Sequence, residues 1–254
     1  MKTIIFAVLL LSLSSQVQGF GQTGHRVVGA IAEKHLSHKA KRMIKKLLVN
    51  EDMAEAATFS DEQRSNPSEF WQKTATPWHY VNVHEGEVYE TAPPEGDAIT
   101  ALEMFSKQLK SKETSLETKQ IALKFIIHII GDLHQPFHTG TDIDRGGGTI
   151  KLTFFNEETN LHRVWDEHLI DNQKLSYTEW THRLNRKISK QQVKAWSEID
   201  PKVWVAESQK LRLGLYPEDD NLFFDYQYKA MPIVKLQLQR GGIRLAAYLN
   251  HLFK

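Results

Sequence analysis

The chain has 254 residues, 41% apolar and 25% charged, the balance of an ordinary globular protein long enough to bury a substantial core. A formal charge of +1 excludes a broad basic field of the kind that grips duplex DNA through its phosphates, so any action on nucleic acid must come from a local site. The absence of cysteine excludes a disulfide framework and a thiolate metal site, and leaves 12 His and 31 Asp plus Glu as the nitrogen and oxygen donors for any metal.

The first segment reads as a secretory leader: Lys2 supplies the positive end, Ile4 to Leu13 the apolar stretch, and Val17-Gln18-Gly19 the small residues before a cleavage point. The apolar run is too short to span a bilayer comfortably. Cleavage after Gly19 predicts a mature chain of residues 20–254 that starts at Phe20, carries no membrane anchor, and is secreted or periplasmic. The one near-match to a glycosylation acceptor, Asn66-Pro67-Ser68, is disqualified by its proline.

The mature sequence is helical by pattern. Val27, Val28, Ile31, Ala32 and Leu36 form a helical stripe after Thr23, and Met43, Ile44, Leu47 and Leu48 a second, on a basic helix. A third helix is predicted from about Asp97 to Leu109. A fourth, from about Thr118 to Leu133, is apolar nearly all round and should be central, stopping before Gln135-Pro136. Thr149 to Phe154 alternates like a strand after a glycine run, with a turn expected at Asn156 to Asn160. Helical patterns resume at about Leu161 to Leu169, Thr178 to Ser189, Pro201 to Leu213 and Asp225 to Leu252. The expectation is a single all-α domain, mainly helical, with one small β-hairpin.

The chemistry concentrates in His128-Ile129-Ile130-Gly131-Asp132-Leu133-His134-Gln135-Pro136-Phe137-His138. His128 and Asp132, four apart, share one face of an apolar helix, which has no structural use for a bare carboxylate. Burying the pair alone costs several kcal/mol, and a divalent cation would offset that. His138 can turn back toward the same cavity, whereas His134 falls on the other side and reads as structural. His162 and Asp166 repeat the four-residue spacing beside Leu161 and Trp165. Upstream, Asp61 and Arg64 are neighbours if their segment is helical, and Pro77 to Asn82 places His79 between aromatics in an extended segment. A zincin motif, a phosphate loop ending in Gly-Lys-Ser/Thr and a nucleophile elbow are all absent.

In order and spacing these motifs, from Gly24-His25 through Asp61-Glu62-Gln63-Arg64, Trp78-His79-Tyr80, the His128 to His138 block and His162-Arg163-Val164-Trp165-Asp166 to Gly241-Gly242-Ile243-Arg244-Leu245-Ala246, resemble the S-one/P-one (S1/P1) nuclease family. The members are secreted zinc-dependent single-strand nucleases and 3′-nucleotidases. The resemblance implies a helical fold of the phospholipase C type with three zinc ions (Zn2+) at the base of a cleft. By motif, Asp61, His79, His128 and Asp132 would hold the first; His138, His162 and Asp166 the second; His25, Asp132 and the amino nitrogen and carbonyl oxygen of Phe20 the third. It further implies that Asp61 orients the attacking water, that Arg64 neutralises charge developing on phosphate, and that Tyr80 stacks an unpaired base. The substrates would be single-stranded DNA and RNA and 3′-nucleotides, the products 5′-phosphates, and the enzyme a monomer.

The sequence departs from the fungal pattern in places. Phe20 stands where those enzymes have tryptophan, but only its backbone would ligate. Asn82 replaces an aspartate that hydrogen-bonds the base, so it marks the base-binding position without its preference. Gly148 replaces the asparagine of a Gly-Gly-Asn turn, and the fungal disulfides are missing. A zinc-dependent phospholipase C shares the implied fold and metal site; Tyr80, Asn82 and Arg64 favour the nuclease. A secreted binding protein with structural metals would not need a spare arginine.

Overall fold

The computed structural model describes residues 20–254, so the leader predicted over residues 1–19 lies outside the described part of the chain. The first helix, α1 (Gln22–Lys34), buries Val27, Val28, Ile31 and Ala32 along one stripe. The next, α2 (His38–Leu48), is capped by the Ser37 side chain, which accepts from the Ala40 N–H, and buries only Ala40, Ile44, Leu47 and Leu48. Two single-turn helices follow, α3 (Met53–Ala56) and α4 (Phe59–Glu62); α4 runs into a 3-10 turn at Gln63–Ser65, which keeps Asp61 and Arg64 adjacent. A five-residue π-turn, Phe70–Thr74, and a 3-10 turn, Thr76–His79, complete this side. His79 was expected in an extended segment. Pro77, with φ preset for a helical turn, winds the chain up to His79, and only from Tyr80 does it extend.

The central pair is α5 (Ala98–Lys110), started by a capping box between Asp97 and Thr100, and α6 (Leu116–Asp132), capped by Ser115. From Ala122, α6 is buried on nearly every side, as its uniform apolarity predicts. It ends at Asp132, and after a turn over 133–135 Pro136 opens a 3-10 turn, Pro136–Thr139. Each buried Leu, Ile or Phe on such a helix contributes roughly 1.5–3 kcal/mol relative to exposure.

The hairpin has more strand than the sequence suggests. In it β1 (Lys151–Phe154) pairs antiparallel with β2 (Glu157–Asn160), so the turn is Phe155-Asn156, both at positive φ, and residues 157–160 are strand. Paired backbone positions at both ends of a two-residue loop outweigh the turn preference of the asparagines. A later two-residue strand, β3 (Asn221–Leu222), adds parallel to β1 and gives the order β2-β1-β3.

The region from Leu161 is one helical pattern in sequence but three elements in space: α7 (Leu161–Arg163), a π-turn at Val164–His168, and α8 (Leu169–Asp171). The pattern over 178–189 also divides. There α9 (Tyr177–Asn185) stops short, and Ser189 is the N-cap of α10 (Lys190–Trp196), in a capping box with Gln192. The chain ends with α11 (Pro201–Arg212) and α12 (Phe224–Leu252). Helix α12 lies against α1 at a crossing that only glycine allows: a Cβ on Gly242 would sit 2.5 Å from Ile31 Cγ2. Among the described residues no helix is long and apolar enough to cross a membrane.

Candidate metal centre

The α6 helix carries His128 and Asp132 one turn apart, both fully buried. Around them the fold gathers His25 from α1, Asp61 from α4, and His79 from the turn after Pro77. The Asp132 carboxylate is the hub. Its Oδ2 lies 3.0 Å from His79 Nδ1 and 3.2 Å from His128 Nε2, and its Oδ1 lies 3.2 Å from His25 Nε2. His25 stacks on His128 with ring centroids 3.9 Å apart and planes 15° from parallel. Asp61 reaches within 4.0 Å of His25 Nε2 and 3.9 Å of His128 Nε2. Behind the stack, Gly131 gives His25 its place, because a Cβ there would lie 2.7 Å from His25 Nδ1.

A second group stands beside the first. His162 Nε2 is 3.2 Å from Asp166 Oδ2, and His138 Nε2 is 3.7 Å from Asp166 Oδ1. His138 also comes within 3.7 Å of Asp132 Oδ1, which links the groups. The three clusters His25–Asp61–His128, His79–His128–Asp132 and His138–His162–Asp166 each bring their donor atoms within 4.8 Å of one another. Every ligand residue suggested by the sequence therefore reaches one of these groups, apart from Phe20. That residue is buried, and the next N–H, of Gly21, donates to the Asp166 carbonyl at 2.7 Å, which pins the start of the described chain beside the second group.

The tautomers follow from the backbone. His128 Nδ1 lies 2.8 Å from the Ala57 carbonyl, His138 Nδ1 2.6 Å from that of His79, and His162 Nδ1 2.7 Å from that of Gly146. A carbonyl only accepts, so each Nδ1 carries the proton and each Nε2 lone pair faces the cluster. The Gly146 carbonyl is held in place by a loop at positive φ, where a Cβ would meet Phe137 O at 2.3 Å. Gln135 reaches across to donate to Asp166 Oδ1 at 2.6 Å and accepts from the Phe137 N–H. In the sequence Gln135 stands only as the residue before the helix-stopping proline, and the one signal of a further role is its place between two candidate ligands, Asp132 and His138.

Electrostatics agrees with a cation site. Burial lowers His79 to about 4, so it is a neutral donor at physiological pH. His25 is lowered by burial and by the neighbouring His128 ring. Burial alone would raise Asp132, but His128 and His138 outweigh it and hold the carboxyl well below the usual range. Burial alone would likewise lower His128, and Asp132 with Asp61 reverses that to a raised value: the two carboxylates favour positive charge at Nε2, where a cation would take the place of a proton. The two buried nitrogens of His25, Asp61 Oδ1 and Asp132 Oδ1 make no hydrogen bond among the described residues. Converging lone pairs with too few protons to satisfy them fit divalent cations, and imidazole plus carboxylate is a suitable donor set.

Both groups open onto a cleft of about 410 Å³. His79 and His162 lie at its floor, with Arg64, Tyr80 and Asn82 in its walls. Arg64 Nε is 3.1 Å from Asp61 Oδ1, and both terminal nitrogens of the guanidinium are buried without a hydrogen-bond partner among the described residues. Trp71, Gln72 and Arg145 also line the cleft, with no motif to mark them in the sequence. His134 is outside the cluster, as expected: Nδ1 donates to the Ile130 carbonyl at 2.6 Å and Nε2 accepts from Arg244 Nη1 at 3.2 Å. Burial, and then the Arg244 charge, lowers His134 to about 3.

A helical domain with buried His and Asp groups at the foot of a nucleotide-sized cleft has the makings of a metal-dependent hydrolase. The chain belongs to the S1/P1 nuclease family, whose model matches residues 20–254. It is thus a nuclease, a hydrolase acting on nucleic acids. Endonuclease 3 of Arabidopsis thaliana is 31% identical, over 98% of this chain and 95% of its own length. Nuclease S1 of Aspergillus oryzae is 26% identical over 94% of each chain, and Nuclease P1 of Penicillium citrinum is 24% identical over 92% of this chain and 97% of its own.

Proposed function

We propose that the protein is a secreted, zinc-dependent nuclease that hydrolyses single-stranded DNA and RNA to 5′-phosphate products and also acts as a 3′-nucleotidase. The observation that carries this reading is the convergence of His25, Asp61, His79, His128 and Asp132 beside His138, His162 and Asp166, under a cleft walled by Arg64. Zinc accepts nitrogen and oxygen donors and tolerates open positions, which suits a set without sulfur. Asp61, His79, His128 and Asp132 would hold one ion, and His138, His162 and Asp166 another. His25, Asp132 and the backbone of Phe20 would hold a third once residues 1–19 are removed. Bound ions supply a lowered water pKa and charge neutralisation at phosphate.

The chain's own residues do the rest. Asp61, kept ionised because His128 and Arg64 outweigh its burial, accepts a hydrogen bond from the attacking water and aims it. Arg64 turns its two unpartnered nitrogens to the non-bridging phosphate oxygens, where charge grows in the transition state. Carbonyl-held tautomers at His128, His138 and His162 present lone pairs without rearrangement. Tyr80 offers a ring face to a base and Asn82 an amide to its edge. A paired base cannot reach that face, and stacking there is worth roughly 1–3 kcal/mol, which is the basis for single-strand selection. Departure of the 3′-oxygen leaves phosphate on the 5′ side.

The test is to incubate zinc-replete protein beginning at Phe20 with single-stranded RNA, single-stranded DNA and duplex, and to identify the product ends. Release of 5′-mononucleotides from single strands, lost on chelation, is the expected result. Products ending in 3′-phosphate would refute the leaving group, and equal rates on duplex would refute the stacking argument.

A further inference from the structure

Helix α2 places His38, Lys39, Lys41, Arg42, Lys45 and Lys46 on eleven residues with no acid among them. All six side chains are exposed, because the buried face is taken by Ala40, Ile44, Leu47 and Leu48. Five fixed positive charges thus stand on one short helix of a chain whose net charge is +1. The bases that ion-pair among the described residues lie elsewhere: Arg64, Lys73, Lys124, Arg163, Arg240 and Arg244. Like charges four apart, as at Lys41 and Lys45 or Arg42 and Lys46, weaken a helix. His38, Lys41, Arg42, Lys45 and Lys46 line a shallow surface groove with Val49.

The position of α2 relative to the cleft follows from α6. The Leu47 carbonyl accepts from Gln120 at 2.9 Å, and Glu51 pairs with Lys124 at 2.6 Å, so α2 ends beside the first half of α6. Asp132 is twelve residues beyond Gln120, about 18 Å at 1.5 Å per residue. A mononucleotide or dinucleotide in the cleft is too short to reach α2, while a long strand can touch both.

We infer that the exposed face of α2 is a second binding surface for the phosphate backbone of single-stranded nucleic acid, holding long substrates while the cleft cuts them. The inference rests on the single-strand reading above. Charge complementarity identifies the occupant: flexible strand phosphates can follow cations repeated each turn, and five fixed positive charges with no acid among them on one helix match a polyanion. The surface acts by counterion release, so its contribution is set by salt.

The experiment compares the zinc-loaded protein with a variant carrying Lys41→Ala, Arg42→Ala, Lys45→Ala and Lys46→Ala. Binding of a phosphorothioate single strand of about thirty nucleotides, which keeps its charge and resists hydrolysis, is measured over a salt series. Four lost phosphate contacts should lower the slope of log affinity against log salt by about 2–3, at roughly 0.7 per contact, and weaken low-salt binding at least about tenfold. Hydrolysis of a dinucleotide should be unchanged. A second variant with Lys41→Arg, Lys45→Arg and Lys46→Arg should keep the wild-type slope. An unchanged slope in the alanine variant overturns the inference, as does an equal loss on the dinucleotide. Loss of binding to phosphatidylserine vesicles with the strand slope intact would assign the face to membranes and overturn it too. A wild-type protein that prefers duplex instead refutes the single-strand reading, which separates the two failures.

Discussion

Gly131→Ala tests the packing that sets the centre. The new Cβ would stand 2.7 Å from His25 Nδ1 and 3.0 Å from Cε1, where ordinary contact begins near 3.4 Å, so the ring must retreat by about 0.7 Å. It has no free direction: it is stacked on His128 at 3.9 Å, and Nε2 is 3.2 Å from Asp132. Overpacking costs about 1–3 kcal/mol, and the helix preference of alanine over glycine returns about 0.8–1. The net is at most about 2 kcal/mol, a fall in Tm of roughly 4–8 °C for a domain of this size. The chemistry should suffer more than the fold. A displaced donor typically costs about 10–100-fold in metal affinity or activity. The assays are thermal denaturation by circular dichroism, zinc content by atomic absorption, and kcat/KM on a single strand. The double variant Gly131→Ala, His25→Ala should lose no more activity than His25→Ala alone, because both act on one ring. Wild-type zinc content with activity within about twofold would refute the reasoning.

Asp132→Ala removes the carboxylate that touches three imidazoles and should abolish activity and lower metal content, as read by steady-state assay and atomic absorption. Full activity would refute its role as hub. Arg64→Ala should lower kcat by about 10²–10³, with Arg64→Lys recovering only part, since an ammonium lacks the planar fork. Stability should fall on acidification through His134. Folded, it is held neutral at about 3 by burial and by Arg244, while in the unfolded chain it titrates near 6.5. The unfolded chain therefore binds the extra proton below about 6.5, and stability drains away as pH falls from there toward 3. Between pH 7 and pH 5 this residue alone should remove roughly 2 kcal/mol, measured by urea denaturation, and His134→Gln should flatten that part of the profile.

Much of this centre was legible in the sequence because its ligands sit on strongly patterned elements. His128 and Asp132 share a face of an unmistakable buried helix, and four-residue spacing fixes their relation before any tertiary contact is known. His162 and Asp166 kept that relation even though a π-turn replaces the expected α-turn between them. Less legible were features set by tertiary contact. The 3-10 turn that aims His79 depends on a local Pro77, while the carbonyls of Ala57, His79 and Gly146 that fix three tautomers are chosen by packing. Gln135 looks like a helix terminator until its amide is seen on Asp166. The split between α9 and α10 was recoverable from Ser189 and Gln192, a capping box read as the end of one helix. The third strand, two residues long and paired across 68 positions, left no periodic trace.

Helix α12 contributes none of the gathered donors, yet Gly242 seats it on Ile31 of α1, and Arg244 holds His134 at the end of α6. The donors themselves run from His25 to Asp166, drawn from segments that meet only when the whole domain closes. A piece that held only residues 25–166 would keep every donor and lose α9 and α12, two of the helices packed against the one that presents His25. A stop codon just before α12 would spare every candidate ligand and still silence the enzyme, by stripping the helix that presents His25 of its most extensive packing partner and leaving mainly α3, α6 and α9 to hold it.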